Sequence, residues 1–268
     1  MAISASATSL EATLQPRSID NRIKLKILPL GASIVWGTDS SDHNGFREHL
    51  RDLLEANHGN DVSFVGTRFH GNMTNNACEA YPGDTIGEVM NKSMSSGAFD
   101  YLPNVILIHL GTNDCMPYLN ITTSAAAAKF ADLLRAIKSK DPAALVVAST
   151  LIKNLDLAVE ERIVKLNALL PTIVTQAKNG GQNVTLVDMH DAVPVSDINT
   201  TDLTHPTDAG YVIMARVWYE ALVNASSLIS VPSKNGKAAP KSPSAASKAA
   251  SYSAVWVLVP LAVWILNS

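Results

Sequence analysis

Apolar and polar positions alternate along the chain in two periods, and they do so in turn. The run from Ile23 to Leu28 is a short β-type segment ending in Pro29-Leu-Gly31. Phe46, Leu50, Leu53 and Leu54 then recur at helical spacing after Asn44-Gly. Val62 to Val65 reads as a second strand, followed by a polar loop from Arg68 to Pro82 and a helix from about Asp84. Val105 to Leu110 is apolar at every position except His109, the signature of a strand covered on both faces. An Ala-rich helix (Ser124–Lys138), a strand (Leu145–Ala148), one amphipathic helix (Glu160–Ala177), a strand (Val184–Val187) and a last helix (Asp208–Val223) complete the alternation. Strands and helices in this order predict an α/β fold, a doubly wound, flavodoxin-like, five-stranded parallel sheet with helices on both faces.

Only residues 23–230 carry this pattern. Residues 1–22 read as a flexible N-terminal segment, 231–253 as a Ser/Ala/Lys/Pro-rich linker and 254–268 as a hydrophobic tail. The small residues, polar spacer and apolar end resemble a GPI-attachment signal, which implies membrane attachment through the tail and a secreted or cell-surface location. The N-terminus points the other way, because Met1 to Ile23 holds no apolar run of signal-peptide length. Six N-x-Ser/Thr sequons, at Asn72, Asn91, Asn120, Asn183, Asn199 and Asn224, favour the secretory reading as glycosylation candidates.

The 268 residues are 47% hydrophobic and carry a net charge of −3. The tail holds four lysines and no acid, so residues 1–230 carry 17 basic and 24 acidic side chains. Such a surface excludes nucleic acid as the expected partner. No C-x-x-C or His/Cys spacing indicates zinc.

In doubly wound sheets ligands bind beyond the carboxyl ends of the strands. The first strand ends in Gly31-Ala32-Ser33, the third in Gly111-Thr112-Asn113-Asp114. The loop after the second contains Glu79 to Gly83, and Asp202-Leu-Thr-His205-Pro206 follows the fifth. Singly, each has a plainer reading: Ser33 as a helix cap, Asn113 as a turn residue, Asp202 and His205 as a cap and a solvated histidine. Together they supply a hydroxyl, an imidazole, a carboxylate and oxyanion donors, which is the inventory of acyl transfer. His109 reads as a satisfied core histidine, and Asp188, His190 and Asp191 as a surface turn.

Pro29-Leu-Gly31-Ala32-Ser33-Ile34, Gly83, Gly111-Thr112-Asn113-Asp114 and Asp202-x-x-His205 resemble, in order and spacing, the four blocks of the SGNH (GDSL-like) hydrolase superfamily. Asn44-Gly-Phe-Arg47, Phe64-Val-Gly66 and Glu79 to Gly83 are similar to fungal enzymes of the acetyl-xylan-esterase branch. The resemblance implies a cofactor-free serine carboxylic-ester hydrolase. Ser33 is then the nucleophile, His205 its base and Asp202 the partner of the imidazole. The oxyanion donors are the N–H groups of Ser33 and Gly83 and the amide of Asn113. The branch implies an acetylated polysaccharide or oligosaccharide as the ester substrate, and a monomer is expected. Tyr81 and Trp36 are candidates to shape the acyl or sugar pocket, with ordinary packing as the plainer reading, and a lipid or lysophospholipid esterase and a catalytically silent carbohydrate-binding protein remain alternatives. Ala32 departs from the family's usual Gly-Asp-Ser, and Val35 stands where a G-x-S-x-G signature needs its second glycine. Cys78 precedes Gly83 by five residues and Cys115 follows Asn113 by two, so oxyanion donors facing one cavity predict a Cys78–Cys115 disulfide.

Overall fold

In the computed structural model, residues 23–242 are described. The chain order is β1 (Leu25–Gly31), α1 (Ser33–Trp36), α2 (Arg47–His58), β2 (Val62–Phe64), β3 (Arg68–Phe69), β4 (Ala77–Ala80), α3 (Ile86–Ser95) and β5 (Val105–His109). Then come α4 (Thr123–Lys140), β6 (Leu145–Ser149), α5 (Leu157–Asn167), α6 (Leu170–Asn179), β7 (Val184–Val187), α7 (Met189–Ala192) and α8 (Asp208–Asn224). The parallel core β2-β1-β5-β6-β7 is the expected five-stranded arrangement.

Two strands come in addition. β4 pairs in parallel with the carboxyl half of β1, through Leu30↔Glu79 and Gly31↔Ala80, and β3 adds antiparallel to it. They form inside the segment expected to be a polar loop. Ala77-Cys-Glu-Ala has no alternation of its own, and its strand conformation comes from the edge that β1 offers beyond the end of β2.

Side chains alternate across the sheet. Leu25, Ile27, Val105, Leu107, Leu145 and Val147 face a core closed by Phe46 at the start of α2, by Leu50 and Leu54 within it, and by Tyr211, Met214 and Trp218 of α8. Leu28, Leu30, Ile106, Ile108, Val146 and Ala148 face a second core under α3, α4, α5 and α6. Helices on both faces explain why every residue of β1, β5 and β6 is buried.

This layering corrects the disulfide expectation. Cys78 packs into the α2/α8 core and Cys115 into the core on the opposite face, and both are buried free thiols. The sheet separates them. The single helix expected over Glu160–Ala177 is also two helices. Pro171 at the second position of α6 has no N–H and its ring cannot follow an uninterrupted turn. Asn167 secures the break, its side chain bonding Leu151 N–H and C=O at 2.8 and 2.9 Å.

Residues 231–242, the start of the expected linker, lie against the domain. Lys26 Nζ donates to the carbonyls of Lys237 (3.0 Å) and Tyr101 (3.1 Å), and Lys237 Nζ pairs with Asp100 at 2.8 Å. Residues 1–22, the rest of the linker and the hydrophobic tail lie outside the described residues. Among the described residues no helix is long and apolar enough to cross a membrane.

Candidate active site

β1 delivers Ser33 to the rim of the sheet. Its strand ends at Gly31, where a Cβ would meet the His109 carbonyl at 2.4 Å, so only glycine lets β1 and β5 close up here. Ser33 is the first residue of α1, a position whose N–H has no intrahelical acceptor. Gly37, at φ 89°, ends α1 by returning its N–H to the carbonyls of Ser33 and Ile34.

His205 arrives from the far end of the chain. Its loop is held by the Ile198↔Pro206 bridge and by bonds from Asn199 N–H to the His205 carbonyl and from Thr207 N–H to the Asp197 carbonyl, each 2.8 Å. Leu203 adopts a left-handed φ of 67° between Asp202 and His205. The result is a Ser33 Oγ to His205 Nε2 distance of 2.8 Å. On its other side His205 Nδ1 bonds Asp202 Oδ2, and Asp202 Oδ1 accepts the N–H groups of Thr204 (2.9 Å) and His205 (3.1 Å). Burial alone would raise the Asp202 carboxyl; the His205 ring and those two N–H groups outweigh it and hold the group at about 2. An ionised Asp202 fixes the ring proton on Nδ1 and leaves Nε2 to accept the Ser33 O–H.

The remaining predicted residues come to the same rim. Asn113 Nδ2 donates to the Asp84 carbonyl at 2.8 Å, which ties the turn after β5 to the turn holding Gly83. A primary amide has two N–H donors, and this bond engages one. Gly83 is exposed at φ 85°, and nothing lies within 4 Å of where a Cβ would sit, so its glycine is required by backbone conformation and not by space.

Sequence reasoning missed most of the groups that support this rim. Asp114, almost fully buried, accepts the N–H of Ile86 at 2.9 Å and so anchors the start of α3 beside Gly83; desolvation pushes its carboxyl up to about 6. Thr85 and Glu88 complete a capping box at the same helix end, a signal present in Thr85-x-x-Glu88. Next to Gly83, Tyr81 donates to the buried Glu79 carboxylate at 2.5 Å, and burial with that bond pushes the phenol up to about 12. The Arg68 guanidinium lies 4.7 Å from the Tyr81 ring centroid and 4.9 Å from that of Trp36, which stacks on His70 at 4.2 Å. Arg68, Trp36, His70 and Tyr81 thus form an aromatic and cationic wall flanking α1. Trp36 and Tyr81 are the two that the sequence offered; no spacing joins Arg68 and His70 to them, because β3 and β4 bring the four together.

Arg47 is the frame of this wall. Fully buried, it donates to the carbonyls of Asn44, Asn76, Trp36, His43 and His70 at 2.7–3.2 Å, and no carboxylate pairs with it among the described residues. His109, expected as a satisfied core histidine, is buried with Nδ1 on Ser149 Oγ at 2.8 Å, while its Nε2 has no partner among the described residues. Burial lowers it to about 4, so it is neutral. His190 is bonded to Glu160 at 2.7 Å, and Asp188 caps α7. Of the sequon asparagines, Asn72, Asn91, Asn120 and Asn224 are exposed and Asn183 and Asn199 half-buried.

The sequence model of the GDSL-like lipase/acylhydrolase family matches residues 30–213, which span the whole rim from β1 to α8. The chain belongs to this family. Among curated proteins this GDSL-like chain is similar to a multidomain esterase of Ruminococcus flavefaciens, 25% identical over 249 residues. That match covers 83% of the chain and 31% of the relative, so the chain spans about a third of the length of the curated relative it matches. Among solved structures, a family 3 carbohydrate esterase of Clostridium thermocellum superposes with a TM-score of 0.66 at 23% identity, covering 77% of this chain and 100% of that one. A catalytic mutant of an acetylxylan esterase from Geobacillus stearothermophilus superposes with a TM-score of 0.56 at 16% identity, over 74% of this chain and 94% of that one. Both share the fold of the GDSL-like chain.

Proposed function

We propose that the protein is a serine carboxylic-ester hydrolase that removes acetyl groups from carbohydrate esters through an acyl-enzyme on Ser33. The observation that carries the reading is the 2.8 Å contact between Ser33 Oγ and His205 Nε2 across 172 residues of sequence. A serine hydroxyl is a weak nucleophile until a base takes its proton. In the proposed reaction His205 takes it as Oγ attacks the ester carbonyl, and Asp202 stabilises the imidazolium. The oxyanion is received by the N–H groups of Ser33 and Gly83 and the free N–H of Asn113, each such donor being worth ~2.7–4 kcal/mol in the transition state. His205 then protonates the departing alcohol, and water cleaves the acyl-Ser33 ester by the reverse proton path.

Two features support a short acyl group on a sugar. The recess touching Ser33, lined by Ala32, Ile34, His109, Leu110, Gly111 and Thr112, is small, which suits a short acyl group better than a long alkyl chain. A roomier cleft of about 300 Å³ lies between α4 and α6 and is lined by none of the site residues. The wall of Trp36, His70, Arg68 and Tyr81 offers ring faces and N–H donors suited to a sugar, and the structural neighbours named above include an acetylxylan esterase. The test is hydrolysis of p-nitrophenyl acetate, butyrate and octanoate together with acetylated xylan. Acetate is expected to be fastest, with Ser33→Ala losing at least about 10³-fold. Full activity in Ser33→Ala removes the nucleophile assignment, and a preference for octanoate favours the lipid-esterase reading.

A further inference from the structure

A fourth ionisable group stands against the three assigned above. Asp39 lies on the turn after α1, with a left-handed φ of 66°. The turn is fixed from several directions. Thr38 N–H donates to the Ser33 carbonyl at 3.0 Å, Tyr211 Oη donates to the Thr38 carbonyl at 2.7 Å, and Ser41 N–H donates to Asp208 at 2.8 Å. From the loop ahead of α8, Asn199 Nδ2 donates to Asp39 Oδ2 at 2.9 Å. These contacts bring carboxylate oxygens of Asp39 and Asp202 and a ring nitrogen of His205 within 4.8 Å of one another. The ionisable groups around Asp39 are Asp202 and His205 from that loop and Tyr211 from α8, whose phenol also senses Asp208 and Arg47.

We propose that Asp39 is a positioning residue of the catalytic centre, whose carboxylate sets a second negative charge beside the His205 imidazole and helps to stabilise the imidazolium formed as Ser33 attacks. The inference rests on the reading of Ser33, His205 and Asp202 as the reacting groups. Two carboxyls this close resist being ionised together. The hydrogen bond with Asp202, followed by burial, accordingly lifts Asp39 above the usual carboxylate range, while Asp202 stays at about 2. At low pH Asp39 keeps its proton and donates it to Asp202. At neutral pH both are charged, and the imidazolium formed during attack has two carboxylates to stabilise it.

Asp39→Asn is the informative variant. Asparagine tolerates the left-handed φ and still offers a donor to Asp202, but it carries no charge. The acid limb of the kcat/KM profile for p-nitrophenyl acetate is expected to move down by about half a pH unit, the effect of one screened unit charge roughly 5 Å away. The difference should shrink in 1 M salt, where the screening length falls to about 3 Å. A second readout needs no turnover: by ¹³C-carboxyl NMR, Asp39 should titrate above the ordinary aspartate range and return to it in Asp202→Asn. Superimposable pH profiles in wild type and Asp39→Asn, or a drop in rate with no change in profile, overturn the proposal. So do two carboxyls that titrate independently by NMR. A protein that hydrolyses no ester yet shows the coupled carboxyl titration would sink the hydrolase reading and leave the juxtaposition standing.

Discussion

Replacing Asp114 with asparagine tests the electrostatics of the rim without touching its chemistry. The Asp114 carboxyl is buried against the start of α3 and lifted by desolvation from 3.8 to about 6. At 1.36 kcal/mol per pH unit this is a penalty of ~3 kcal/mol on the ionised fold. An asparagine Oδ1 can still accept the Ile86 N–H that Asp114 Oδ2 now accepts. Its NH2 group, newly buried, costs ~1–2 kcal/mol unless it finds a partner. The expected net gain at neutral pH is therefore ~1–2 kcal/mol, or about 3–6 °C in Tm for a domain of this size. The sign follows from proton binding: the folded value lies above the unfolded one, so between about pH 4 and 6 the native state holds the extra proton. Wild-type stability contributed by this group is thus present below pH 4 and lost as pH rises through 6. Thermal melts of wild type and Asp114→Asn at pH 4 and pH 7.5 should show the variant ahead only at the higher pH. An equal offset at both values, or a variant less stable at pH 7.5, refutes the reasoning.

Two further outcomes follow from buried groups. Arg47→Met leaves five carbonyls without their donor, and a loss of at least about 3 kcal/mol is expected, read as a fall in the urea midpoint. Burial raises both thiols, Cys115 to about 12, so native protein should leave DTNB uncoloured, 2 thiols should appear on denaturation, and reductant should not change Tm.

How much of this was legible in the sequence depends on the range of the interactions. Local periodicity was enough for β1, β5, β6 and β7 and for the amphipathic helices, because burial on one or both faces is written into each segment. It failed where pairing is tertiary. β3 and β4 exist because β1 has a free edge above β2, and Pro171 overrides an otherwise continuous apolar stripe. At the rim, Ser33, Asp202 and His205 were singled out because a hydroxyl and an imidazole beside strand ends are chemically conspicuous. Asp39 and Asp114 were not, since an aspartate in a turn or after Asn113 looks like ordinary turn chemistry until its neighbours are known. The disulfide expectation failed for a related reason. Closeness of two loops along a rim says nothing of which side of the sheet each sulfur enters, and Cys78 and Cys115 enter opposite sides.

Arg47 gathers carbonyls from three stretches of chain, at Trp36, at His43 and Asn44, and at His70 and Asn76. Because it grips main-chain atoms only, the Trp36 side chain is not part of the clamp. The Trp36 side chain can therefore be exchanged while the peptide scaffold beneath it keeps its course, whereas the His70 ring also bonds the Trp36 carbonyl at 2.9 Å and is part of that scaffold. Under the proposed function, a relative holding the same arginine could change which esters it accepts by altering the residue at position 36, with Ser33 undisturbed.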